Sequence, residues 1–179
     1  MHGTPLRPAN FRVAVQSRPK VRVAGRVPGA TPQAGAAATL PRMAADPDCL
    51  FCKIVAGEIP ATRIHEDERT VAFMDINPAT RGHVLVVPRE HSRDLLSIGS
   101  EDLAAVTRSA QKMAALVHEQ LGADGVNLLN SCGRQAWQTV FHFHMHVIPR
   151  YAGDPLRLPW TPEPGDRDDI AEAARALEG

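Results

Sequence analysis

Three histidines alternate with apolar residues in the run Phe141 His142 Phe143 His144 Met145 His146 Val147 Ile148. Imidazoles titrate near neutral pH, carry protons, attack electrophiles and bind metals, so a row of them is equipped for catalysis. Side chains of a β-strand alternate between faces at about 3.3 Å per residue. Read as a strand, the run sets its three rings on one face at about 6.6 Å intervals, with Phe141, Phe143, Met145 and Val147 on the other. Single histidines such as His2, His65, His83 and His118 are more often ordinary polar residues. Three of the chain's eight opposite one apolar stripe read as an active-site surface.

The other chemically suggestive spacing is Cys49-x-x-Cys52, with Cys132 as the third cysteine. One such pair is a weak zinc signal, because a structural site takes four ligands. A redox dithiol is the competing reading, but no thioredoxin-like βαβ pattern surrounds the pair. The odd count fits a reducing compartment, not a secreted disulfide framework, and Cys132 reads as a loop thiol.

These residues need elements to position them. Cys49 to Glu58 mixes apolar and polar residues as a short helix does, ended by Gly57 and Pro60. Thr70 to Asp75 and His83 to Pro88 read as two strands joined through the turn at residues 77–82, an antiparallel pair. Ser100 is the expected N-cap of a long amphipathic helix, favoured by Glu101 and Asp102 at its positive end. The apolar face is Leu103, Val106, Ala110, Met113, Ala114, Val117 and Leu121, and Gly122 stops it. Val126 to Leu129 is another strand, followed by a polar loop from Asn130 to Thr139 and then the histidine run. A Pro-rich connection around Trp160 leads to a short helix from Arg167 to Leu177. Strands in succession around one long helix indicate an α+β domain on a mostly antiparallel sheet.

The chain has 179 residues, 44% of them hydrophobic, and a formal net charge of zero, but its charges are uneven. Arg7, Arg12, Arg18, Lys20, Arg22, Arg26 and Arg42 precede the first acid, Asp46, among six prolines. Residues 1–43 are therefore expected to be a disordered basic tail. A transit peptide, a start at Met43 after an overlong reading frame, and a nucleic-acid contact are the alternatives for it. The last is disfavoured by the lack of interleaved aromatics. Residues 44–152 form the expected domain and 153–179 an extension. No apolar stretch approaches the roughly 20 residues that cross a bilayer.

The run from His142 to Ile148 resembles the His-φ-His-φ-His-φ-φ signature of the histidine triad (HIT) superfamily of nucleotide hydrolases and transferases. Further motifs, in order, resemble its Hint-like branch: Cys49 to Ala61, Ala72 to Pro78, Gly82 to Pro88 and Gln138 to Phe141. The resemblance covers about residues 47 to 152. It implies a HIT fold with about five strands, one long and one short helix, and a homodimer joined into an extended sheet. A cytoplasmic enzyme follows from it, one that cleaves a purine nucleoside phosphoramidate or adenylylated compound at the α-phosphate.

The resemblance makes His144 the nucleophile that forms a nucleotidyl-histidine. His146, Gln138 and Thr139 would bind phosphoryl oxygens or assist the leaving atom, and Asp75 would accept hydrogen bonds from the ribose. Phe51, Ile54, Phe73, Ile76 and Leu85 are the candidate apolar slot for the base, with ordinary core as the alternative. Branch members that keep both cysteines hold structural Zn2+ with two histidines, which map here to His91 and His142 beside Cys49 and Cys52. Trp137 and Ser131 depart from the glycine and asparagine common at those places. The rival readings are a dinucleoside polyphosphate hydrolase, a non-catalytic zinc-stabilised nucleotide-binding module, and a hydrolase with all three imidazoles on one catalytic ion. Strand geometry disfavours the last, because alternate side chains start too far apart to converge on one metal.

Overall fold

Two runs of apolar, mostly β-branched residues, Thr70–Met74 (β2) and Val84–Pro88 (β3), form the centre of a five-stranded antiparallel sheet in a computed structural model of the chain. The structure describes residues 46–157 and 159–178, so the expectation for the basic tail lies outside the described residues. Strands β1 (Arg63–Glu66), β4 (Gly125–Leu129) and β5 (Met145–Arg150) complete the sheet in the order β1-β2-β3-β5-β4. The fold is α+β, as expected.

The sheet is covered on both sides, which is why β2 and β3 read as continuous apolar runs and not as alternating ones. Ala72, Val84, Val86, Phe143 and Val147 pack on one side against Val106, Ala110, Met113 and Val117 of the long helix α2 (Ser100–Leu121). Val71, Phe73, Leu85 and Val87 pack on the other against Phe51, Cys52 and Ile54 of the short helix α1 (Leu50–Ala56). Cys49 caps α1, its sulfur accepting from the Cys52 amide at 3.4 Å. Gly57 ends it in the left-handed region at φ 83°, where a side chain would be strained.

Sequence and structure differ at three places. Gly99, not Ser100, is the N-cap of α2, and no side chain caps that end. Strand β1 has no counterpart in the sequence reading, because Arg-Ile-His-Glu on an exposed edge carries too few apolar residues to show a period of two. The histidine run is a strand only from Met145 onward. The β3–β5 ladder ends at Val86↔Met145, and continuing its register sets Phe143 opposite Pro88, which has no N–H to donate. His142 and His144 therefore lie in extended chain ahead of β5, with the Phe143 amide donating to the Ser92 carbonyl at 2.6 Å.

After β5, Arg150 holds the Asp154 carboxylate through two bonds of 2.7 Å. A third helix, α3 (Arg167–Leu177), follows; Asp166 caps it, and none of its residues is buried. No helix among the described residues is long and apolar enough to cross a membrane.

Candidate active site

Leaving the ladder early lets the segment from His142 to His144 pass between the end of β3 and helix α1, where two sites form side by side. In the first, the His142 Nδ1 is 3.5 Å from both the Cys49 and the Cys52 sulfurs, and the His91 Nδ1 is 3.3 Å from Cys52. All four donor atoms lie within 4.8 Å of one another. Zinc bonds of about 2.3 Å to sulfur and 2.0–2.1 Å to nitrogen give tetrahedral edges of about 3.6 Å, close to the three distances above, so these side chains fit zinc with small adjustments. The protonation states agree. The His142 Nε2 donates to the Pro88 carbonyl at 3.0 Å, leaving Nδ1 as the lone pair that faces the sulfurs. Burial lowers its pKa to about 4 and raises that of the Cys52 thiol to about 11, so the ring is neutral and the thiolate would need a cation beside it.

The second site is the rest of the triad. The His144 Nδ1 is 2.7 Å from the His142 carbonyl oxygen. A carbonyl only accepts, so Nδ1 carries the proton and Nε2 presents its lone pair. Burial holds this ring below the usual histidine range, and the Phe51 ring meets it edge-on at 5.2 Å between centroids. His146 takes the opposite tautomer. The Ala79 amide donates to the His83 Nδ1 at 3.1 Å, which leaves the His83 proton on Nε2, and that atom is 2.9 Å from the His146 Nδ1. The His146 Nδ1 is thereby an acceptor and Nε2 carries its proton. Burial, then the neighbouring His144 and His83, lower the pKa of His146 to about 4. The rings of His144 and His146 stand 4.9 Å apart. A neutral ring with an open lone pair thus lies beside a neutral ring with an N–H to donate, a pairing suited to nucleophilic displacement with proton transfer.

His83 is a participant that the sequence reading treated as an ordinary histidine. Leu85 pairs with His146 across β3 and β5, so His83, two residues back, reaches His146 diagonally on the same face. Its position after Gly82, within a run already quoted for its resemblance, was the available signal. Asp75 lies near the same ring: Oδ1 accepts from the Asn77 amide at 2.8 Å and Oδ2 is 3.5 Å from the His83 Nδ1.

The remaining candidates divide. Phe51, Ile54, Phe73 and Leu85 are buried together in the cluster beneath α1, forming a closed wall, whereas Ile76 is 91% exposed and apart from them. Thr139 is exposed. Gln138 does not offer its side chain as a phosphoryl ligand. Its Oε1 accepts from the Gly133 amide at 2.8 Å and its Nε2 donates to the Arg93 and Val140 carbonyls at 2.7 and 3.1 Å. Buried with every group engaged, it braces the loop instead. Trp137 is exposed in that loop and has a φ of 68°, unusual for a bulky residue.

Fold and site together define an α+β protein with two neutral histidines of opposite tautomer next to a cluster of four side chains that could hold a metal ion. The family profile of the HIT domain matches residues 56–153, and the chain belongs to the HIT family. It is 39% identical over 120 residues to the protein named hit of Bacillus subtilis, covering 66% of this chain and 83% of that one. Among solved structures, a zinc-bound histidine triad family protein from Mycobacterium smegmatis is similar at TM-score 0.60 and 43% identity, over 72% of this chain and 91% of that one. A histidine triad nucleotide-binding protein from Candida albicans matches at TM-score 0.65 and 31% identity, over 73% and 94%. A HIT family hydrolase from Legionella pneumophila matches at TM-score 0.54 and 34% identity, over 65% and 100%.

Proposed function

We propose that the protein hydrolyses a purine nucleoside 5′-phosphoramidate or a related adenylylated compound through a nucleotidyl-His144 intermediate. The observation that carries this reading is the pair of opposed tautomers, His144 held by the His142 carbonyl and His146 held by His83. The His144 Nε2 attacks the α-phosphorus, and the bond from phosphorus to the amine breaks. The departing nitrogen accepts a hydrogen bond from the His146 Nε2–H, takes its proton from solvent and leaves as the free amine. Water then attacks the phosphorus, its proton passes to solvent, and the bond from phosphorus to Nε2 breaks, releasing the nucleoside monophosphate and the free neutral His144 ring. Asp75 accepts from the ribose hydroxyls, Phe51 with Leu85 backs the site apolarly, and Thr139 meets phosphoryl oxygens.

Cys49, Cys52, His91 and His142 would hold a structural zinc. A closed four-ligand site leaves no position for water, so the metal supplies rigidity and no chemistry. Two copies pair through α2 and the edge strand β4, where Leu128 and Leu129 are 48% and 42% exposed.

The test is incubation with an α-phosphate-labelled adenosine phosphoramidate, an alkaline denaturing quench that preserves the acid-labile phosphorus–imidazole bond, and the same assay on His144→Ala. Label should appear on the wild-type protein, and the variant should lose about three orders of magnitude or more in kcat. Normal turnover by the variant overturns the reading. Faster cleavage of diadenosine tetraphosphate would move the substrate class to dinucleoside polyphosphates.

A further inference from the structure

The nucleophile of the proposed reaction stands where the sheet has ended, yet its peptide is held. The β4–β5 register runs from Gly125↔Arg150 to Leu129↔His146, so a step of two more residues would set Ser131 opposite His144. The chain turns into the loop before that step is made. The β3 ladder has also ended, at Val86↔Met145. At this break the Asn130 Nδ2 donates to the His144 carbonyl oxygen at 2.9 Å. The side-chain amide replaces the ladder N–H that the departing chain removes, which explains how β4 can release the loop without freeing the nucleophile.

The other atom of that amide makes an ordinary packing role a poor account. The Asn130 Oδ1 is buried and has no hydrogen-bond partner among the described residues. A buried unpaired oxygen carries a desolvation cost, and a small apolar residue or serine would avoid it. Turning the amide over gives no relief, because it would set oxygen against the His144 carbonyl oxygen. The geometry points to Asn130 as a positioning residue. It fixes the peptide of His144 while the His142 carbonyl fixes its ring, and together they aim Nε2 along one line of attack. This rests on His144 being the nucleophile. Asn130 neighbours Ser131, the position at which the chain departs from the asparagine common among its relatives, and its task is distinct from contact with substrate.

The experiment compares Asn130→Asp, which has the same shape but no donor, with Asn130→Ala, using adenosine phosphoramidate turnover, zinc content and thermal melting on the full chain. Misaligning the nucleophile should lower kcat about 10- to 100-fold, with KM within about threefold of wild type and one zinc retained. A merely structural role would instead leave kcat per folded, zinc-loaded protein unchanged, and that result overturns the inference. If neither variant folds, Asn130→Gln decides. It keeps the amide on a longer arm, so a reduced kcat at constant KM supports the placement and an unchanged kcat overturns it. His144→Ala is run alongside: full activity there removes the proposed nucleophile, whereas an inactive His144→Ala with fully active Asn130 variants removes this inference alone.

Discussion

At the scale of single residues, the triad is a matter of which nitrogen holds a proton. The ring of His146 is oriented by His83 and that of His144 by a backbone oxygen, so the two neighbours face the same site with opposite tautomers. His83→Phe keeps an aromatic ring of similar size but deletes the donor to the His146 Nδ1. Its kcat is expected to fall about 10²-fold, the usual cost of losing a positioned hydrogen-bond donor, while zinc content stays at the wild-type level. Measuring both on one preparation checks this. The depressed pKa of His146 also has a consequence for stability. It is about 4 in the folded chain, through burial first, and about 6.5 in an unfolded one. Between those values the unfolded chain binds more protons. The contribution is therefore full above about pH 6.5 and is lost as pH falls toward 4, amounting to about 1–3 kcal/mol once partial exposure is allowed for. Urea melts at pH 7.5, 6 and 5 should show midpoints falling in that order; a flat series contradicts the buried neutral ring.

At the scale of elements, the candidate zinc cradle and the proposed nucleophile share one stretch of chain. His142 faces the sulfurs with Nδ1, and its own carbonyl holds the ring of His144. Helix α1, the segment after β3 and the approach to β5 contribute the four ligands, so the metal would tie together three elements. Metal analysis should find one zinc per chain. Cys52→Ser should lose it and melt about 5–15 °C lower, a few kcal/mol, with kcat reduced because the His142 carbonyl is no longer held in place. A variant with unchanged melting and unchanged kcat would separate the cradle from the site. Position 143 between these histidines is fully buried against α2 on the opposite face, so the segment that carries the proposed nucleophile is clamped from both sides.

At the scale of the whole molecule, β4 ends the sheet with half-exposed leucines, and α3 stands with none of its residues buried. An open strand edge with apolar side chains is a surface for pairing with another strand. The expected mass by light scattering is that of two chains, and Leu128→Arg should shift it toward one at micromolar concentration by placing charges across the two-fold contact. A wild-type protein that runs as a single chain contradicts the pairing.

Much of this was legible in the sequence because local chemistry and periodicity suffice for it. Apolar runs marked β2, β3 and β4, period 3.6 marked α2, glycines marked the ends of α1 and α2, and the motif order marked the family. Residue types and spacing by themselves also picked out the triad and the Cys-x-x-Cys pair. Strand β1 was hidden by its charged, exposed edge. The true start of β5 depended on which residue of β3 would face it, and that residue proved to be a proline. Only tertiary structure decided the tautomers, the link from His83 to His146, the commitment of the Gln138 amide to its own loop and the hold of Asn130 on His144. Apart from the bond of the His144 ring to the His142 carbonyl two residues back, each of these is a hydrogen bond between groups on different elements or across a loop. Its partner is chosen by strand register and loop closure, which no local pattern of side chains records.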